Sequence, residues 1–455
     1  MKTIKYLFTL CLALAAMTFV SCSDDDNSSS SAMNIDAVYL EDTKSTVPDR
    51  QVTFARLGQL LRIQGSGFKG IKYIYINGYQ TYFNNALMTD NNIWVTVNSK
   101  TPVYDADESV RNTIQLVKEN ATYTYNFEIR SAAPSVSYIN NPLANAGDIV
   151  TVYGSNLHET SLVTLPSGQQ ITAITNDVDG KWYSFVMPDG DTTPGSITSV
   201  GANGTAMTQP YFQDFRCYIT NFDDKGALGS WSATYSTDDL VDDPLGTGKG
   251  KVCMVVPQSV LDEGGIKATA KSLLWATAGN DNADDDWSRM YEFIPAETDL
   301  NNVALQFEVY CPDVWTGTGQ LEFSLQNNLA SYGWGSTETK YTENVKYPTA
   351  CVWIPWFDDA TGSVSEYQTS GWQTVTIPLT TFGKYSDEDG THTFQEVVDD
   401  RNVASYKNFV ILLVNSDIAY SDDLTIDAST FTNKLYIDNL RIVNNSSMTV
   451  SDFDD

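Results

Sequence analysis

The run LGQLLRIQGSGFKGIKYIYING at 57–78 is answered 89 residues later by AGDIVTVYGSNLHETSLVTLPSG at 146–168. Laid over one another, Gly58 meets Gly147, Leu60 meets Ile149 and Ile63 meets Val152. Gly65-Ser66 meets Gly154-Ser155, and Phe68 meets Leu157. Each copy reads as strand, turn, strand. Apolar and polar residues alternate, as on a half-buried strand. The glycine of the G-S turn marks positive φ or a close approach of two backbone segments. NIDAVYL at 34–40 and APSVSYI at 133–139 open the two copies, and Trp94 and Trp182 fall late in each. A repeat of this length is a pair of like domains and not a solenoid, whose units are shorter. One tryptophan per copy at matching positions reads as a sandwich-core residue.

The rest of the composition agrees with an all-β chain. It has 455 residues, enough for about three domains at roughly 150 residues each. Gly, Thr, Asn, Ser and Asp crowd between short apolar runs. The formal charge is -30, from 57 acidic and 27 basic residues, which excludes nucleic acid or an anionic membrane surface as partner. With 25 Tyr, 19 Phe and 10 Trp the chain is too aromatic to be a disordered acidic tract. Only His158 and His392 are present, so a histidine-based metal site is not expected. Cys217, Cys253, Cys311 and Cys351 have no CxxC spacing, and either bridges or free buried thiols fit them.

The paired modules resemble IPT/TIG domains, an immunoglobulin-like sandwich, over 33–130 and 131–214. Such modules space and orient a neighbour. The N-terminus has a basic start at Lys2 and Lys5, an apolar run over 6–20, and Cys22 in FVSC. That run is short for a spanning helix. It resembles a bacterial lipoprotein signal over 1–21, which implies lipidation of Cys22. Ser23-Asp24-Asp25-Asp26 is similar to the acidic tag that sends lipoproteins of Bacteroides-type bacteria to the outer face of the outer membrane. Residues 22–32 are acidic and serine-rich and read as a flexible tether.

The remainder, 215–455, opens with CYITNFDDKG and closes with LYIDNLRIV. Period-2 alternation runs through 303–309, 321–326, 372–379 and 409–414. Many strands without a long helical period predict a jelly-roll sandwich. This region holds eight of the ten tryptophans, densest over 287–356. Trp287, Trp315, Trp334, Trp353 and Trp356 sit there among Gly, Pro, Ser, Thr and acidic residues, with Tyr332 beside Trp334. Large rings in such contexts are expected to bind something, and stacking on the C–H faces of sugars is the chemistry they suit. Trp275 and Trp372 read as core or edge packing, and Trp231 is undecided. By strand parity Gln306, Glu308 and Tyr310 leave the core together, as do Glu322, Ser324 and Gln326. On neighbouring strands they would make a polar floor between aromatic walls.

Lipobox, acidic tag, tandem modules and an aromatic C-terminal sandwich together resemble a Bacteroidetes surface glycan-binding protein of the SGBP-B type. That resemblance implies a non-catalytic outer-membrane lipoprotein, facing the cell exterior and working beside a SusC/SusD-like importer. The ligand implied is a neutral β-linked polysaccharide, xyloglucan first, then mixed-linkage β-glucan or β-mannan. Its expected contacts are Trp287, Trp315, Tyr332, Trp334, Trp353, Trp356, Gln306, Glu308 and Glu322. The alternatives are a surface glycoside hydrolase and a protein-binding adhesin. No nucleophile elbow, Walker loop or metalloprotease motif is present. No catalytic residue or cofactor is expected. A structural Ca2+ held by Asp223 or Asp438 is the one metal considered, with Asp438 capping a strand end as the alternative.

Overall fold

The computed structural model describes residues 32–41, 49–226, 236–255, 271–325, 349–386, 392–404, 407–415, 417–448 and 450. They form a nearly all-β chain that divides into two compact units at Ser131/Ala132.

The first unit pairs two four-stranded antiparallel sheets. One runs Arg50–Gln51, Asn34–Leu40, Leu60–Ser66, Asn92–Thr96 and the other Tyr79–Thr81, Tyr73–Ile76, Thr113–Val117, Thr122–Asn126. Leu61, Ile63, Ile74, Ile76, Ile93, Val95, Ile114 and Leu116 fill the space between them and are buried. The second unit begins with the same plan. Ser135–Asn140, Ile149–Ser155, Trp182–Val186 and Ile174–Asn176 face a sheet that contains Leu162–Thr164 and Thr198–Gly201.

The repeat glycines have one physical job. A Cβ on Gly65 would stand 1.9 Å from the carbonyl oxygen of Asn34, and one on Gly154 would stand 2.0 Å from that of Ser135. Neither glycine has positive φ, so close backbone approach, not turn conformation, selects them. The approach falls at the same place in both copies, where the opening strand slips register beside its partner. The tryptophans of the repeat correct the core reading. Ile93 and Val95, like Tyr183 and Phe185, point inward, so Trp94 between the first two and Trp182 just before the second two point outward and are half-buried. Trp94 donates its indole N–H to Glu41 at 3.2 Å.

The larger sandwich follows in the same unit. Its first sheet runs Val241–Asp242, Lys251–Val255, Leu435–Asn444, Val303–Tyr310, Gln373–Pro378, with Tyr218–Thr220 also pairing along Leu435–Asn444. The opening and closing strands are thus neighbours. Its second sheet runs Lys271–Ala276, Val410–Val414, Gln320–Ser324, Ala350–Trp353. Leu305, Phe307 and Val309 from the first sheet meet Leu321 and Phe323 from the second, and Phe307 and Phe323 lie 4.8 Å apart. Burying each such side chain contributes about 1.5–3 kcal/mol. The α-helix Phe394–Val403 packs Phe394, Val397 and Val398 into the same core, with Arg401 also buried.

The immunoglobulin-like module beside this sandwich shares its core. Ala304 and Val443 of the first sheet pack with Tyr211, Phe212 and Ile139. Arg441 adds polar ties, donating to the Asp214 carbonyl and to Gln306 Oε1 at 2.8 Å.

Candidate functional site

The cluster of rings over 287–356 does not form one groove. Trp287, Trp315 and Trp356 are at most 1 % exposed and belong to the sandwich core. The expectation that they contact a glycan is corrected accordingly. Their polar neighbours are what buries them. The turn 316–319 offers carbonyls inward: Trp315 Nε1 donates to Thr318 O and Trp356 Nε1 to Gly319 O at 2.9 Å. Trp287 lies under the guanidinium of Arg401, 4.1 Å from the ring centre. Arg401 is itself fully buried, donating to the carbonyls of Leu325, Asp285 and Lys407, with the Asp285 carboxylate 3.7 Å away. Burial pushes Asp285 up to about 6, although Arg401 opposes the shift. Trp275 is core, as expected, edge-on to Phe222.

The polar floor also separates. Val303–Tyr310 and Gln320–Ser324 belong to opposite sheets, so Gln306 and Glu308 leave the sandwich on one side and Glu322 on the other. All three are at most 1 % exposed. Gln306 is held between Arg441 and Thr376 at the junction with the preceding module. Glu322 pairs in register with Leu412, on the outer face where Ala276, Val410, Leu412 and Val414 cluster. Groups enclosed in this way are not a surface for sugar hydroxyls, which corrects their assignment as ligand contacts.

Glu308 instead anchors a buried charge cluster. Lys249 Nζ is 2.6 Å from both of its carboxylate oxygens, and Asn439 Nδ2 is 2.6 Å from one. Asp438 accepts from the backbone and side chain of Asn439. Burial, reinforced by the negative charge of Glu308, pushes Asp438 up to about 9, so it holds its proton at neutral pH. Asp223 accepts from the backbone N–H of Lys251 and stands against Gly250. The positive charge among these acids is thus an ammonium. Among the described residues no three His, Cys, Asp or Glu side chains converge so as to hold a metal ion. Cys217, Cys253, Cys311 and Cys351 are buried free thiols.

Of the expected contacts, Trp353 alone is both described and half-buried. It ends the strand Ala350–Trp353, edge-on to Phe307 at 5.3 Å, Trp315 at 5.8 Å and half-buried Tyr367 at 5.5 Å. The buried rings therefore hold the outer two in fixed orientations. Tyr332 and Trp334 lie outside the described residues, as do Trp231 and Cys22. Three half-buried rings escaped the sequence reading as a group: Tyr310, Tyr436 and Trp372, on the outer face of the first sheet. Parity had turned Tyr310 outward, but only strand pairing brings the other two beside it.

A family model, the surface glycan-binding protein B xyloglucan binding domain, matches residues 212–444. The chain belongs to that family. Surface glycan-binding proteins bind glycans and are not enzymes, and they work at the cell surface. A crystal structure of a surface glycan-binding protein B from Prevotella bryantii shares the fold. It has a TM-score of 0.62 and 22 % identity, over 92 % of this chain and 100 % of that one. A second, the SGBP-B from a complex xyloglucan utilization locus in Bacteroides uniformis, has a TM-score of 0.44 and 16 % identity over 91 % of this chain and 100 % of that one. A curated IPT/TIG domain-containing protein of Bacteroides ovatus is 27 % identical over 186 residues, which is 39 % of this chain and 37 % of that protein. The chain thus spans little more than a third of that relative.

Proposed function

We propose that the chain captures a neutral β-linked polysaccharide at the cell surface, xyloglucan before mixed-linkage β-glucan or β-mannan, for a SusC/SusD-like uptake system. The observation that carries this is the match of the binding-domain family over 212–444. The charge of -30 supports a neutral ligand over an acidic one. Trp353, with Tyr367 against it and Tyr332 and Trp334 from the sequence reading, supplies the stacking rings. Residues 1–21 form the signal, Cys22 carries the lipid in the outer membrane, and 22–32 are the tether. Along the chain, the modules at 33–130 and 131–214 separate the tether from the glycan-binding domain, 215–455.

The test is migration in gels cast with xyloglucan, barley β-glucan or mannan, beside an assay for new reducing ends. Retardation by one of them without new ends is expected. Free migration in all three, or release of reducing ends, rejects the reading. Trp353→Ala should weaken the retention by up to roughly tenfold, the worth of one stacked ring. For the anchor, Cys22→Ala should abolish fatty-acid labelling, and undiminished labelling would reject it.

A further inference from the structure

On the outer face of the first sheet, three aromatic side chains stand in a row across three adjacent strands. Tyr436 comes from Leu435–Asn444, Tyr310 from Val303–Tyr310, and Trp372 immediately precedes Gln373–Pro378. Tyr310 is register partner to Tyr436, and Val309 to Gln373, so the row runs straight across the sheet. Tyr310 and Tyr436 are stacked, 5.7 Å apart and tilted by 23°, and Trp372 continues the row at 6.1 Å. That spacing follows the sheet's own inter-strand distance of about 4.8 Å. Core-facing Leu305, Phe307 and Val309 occupy the alternate positions, so the rings do not contribute to the interior.

These rings are also held in place. Trp372 Nε1 donates to Asp243 at 3.0 Å, and Lys249 Nζ sits 5.6 Å from the indole centre. Asp243 is fixed in turn. Burial opposes its charge, but donors from Leu245, Thr247 and Trp372 outweigh that and hold it down to about 2. Exposed Asp313 acts on Tyr436 and accepts from the backbone N–H of exposed Lys434 at 3.4 Å. A rigid line of half-exposed rings with hydrogen-bonding groups at its margin matches a sugar chain, with its C–H faces and hydroxyl rims, better than a wholly apolar partner.

We infer that Tyr436, Tyr310 and Trp372 form a second carbohydrate platform, which binds a short run of a neutral β-linked glucan chain. It rests on the glycan-capture reading and adds a site on the first sheet, whereas Trp353 ends a strand of the second. Two platforms on one chain would hold a polysaccharide by avidity, so loss of either lowers retention more than its own affinity suggests.

The experiment is calorimetry of the full chain with cellohexaose and with xyloglucan oligosaccharide, comparing wild type with the Tyr310→Ala/Tyr436→Ala double variant. Two oligosaccharides per chain are expected in the wild type and one in the double variant, with polysaccharide affinity down roughly tenfold or more. One oligosaccharide per chain in both proteins overturns the platform. Wild type that binds no polysaccharide of the gel panel overturns the capture reading, and the platform with it. Tyrosine iodination mapped on the wild type needs no variant: bound glycan should protect Tyr310 and Tyr436, and unaltered labelling of both counts against the platform.

Discussion

Lys249→Met should lower the unfolding free energy of the unit beginning at Ala132 by about 3–5 kcal/mol, the cost of breaking a buried ion pair from one side. The side chains of Lys249 and Glu308 are 6 % and 2 % exposed, and Nζ reaches both carboxylate oxygens. Without it Glu308 stays buried beside Asp438, with Asn439 as its remaining donor. Adding Glu308→Gln removes the stranded charge and should recover much of the loss. Denaturant unfolding measures both, and a single variant within about 0.5 kcal/mol of wild type would refute the pairing. Asp438 adds a pH dependence of known sign. Its folded-state pKa of about 9 lies above its unfolded value, so the folded chain keeps a proton that the unfolded chain releases. This group's contribution to stability is complete below about pH 4 and is lost as pH rises toward 9. Asp438→Asn should therefore gain on wild type in thermal midpoint between pH 5 and pH 9.

Trp287→Ala should cost about 3–5 kcal/mol, the range for emptying a buried tryptophan site. The indole is fully enclosed, and its removal takes away the surface on which the Arg401 guanidinium lies. The Asp285 carboxylate and the main-chain carbonyls of Leu325, Asp285, Lys407 and Asn408 depend on that guanidinium. The groove reading predicts a different outcome for the same substitution: a stable fold with weakened sugar binding. Denaturant melts and polysaccharide gels on Trp287→Ala and Trp287→Phe separate the two. Lost stability in the first, with wild-type retention in the second, is expected. A stable Trp287→Ala protein that no longer binds would return this residue to the ligand site.

The local reading of the sequence succeeded where one strand or turn decides the matter. Gly65 and Gly154 were legible because the same backbone contact recurs in both copies. The alternation of Leu305, Phe307 and Val309 was legible because a strand has only two faces. Parity could not say which strands are neighbours, so Glu308 and Glu322 were placed on one floor although they leave opposite sides of the sandwich. The tryptophans failed for a related reason. Trp315 in VWTGTG looks wet in sequence, yet the turn after it supplies the carbonyls that let two indoles be buried. Helix Phe394–Val403 carries its signal at Phe394, Val397, Val398 and Arg401, but a buried arginine at the last position breaks the apolar pattern. Lys249 in TGKGKV had no signal, because its acidic partners come from Val303–Tyr310 and Leu435–Asn444.

Glycan capture by accessible rings, in front of a core of buried ones, is tested most directly by calorimetry of xyloglucan binding to the full chain. Wild type, Trp287→Phe and Trp353→Ala are compared in one series. Binding by wild type, unchanged affinity in Trp287→Phe and a loss of up to roughly tenfold in Trp353→Ala are predicted. Absence of binding by wild type to xyloglucan, β-glucan and mannan alike would contradict the account, as would weakening by Trp287→Phe with Trp353→Ala left intact.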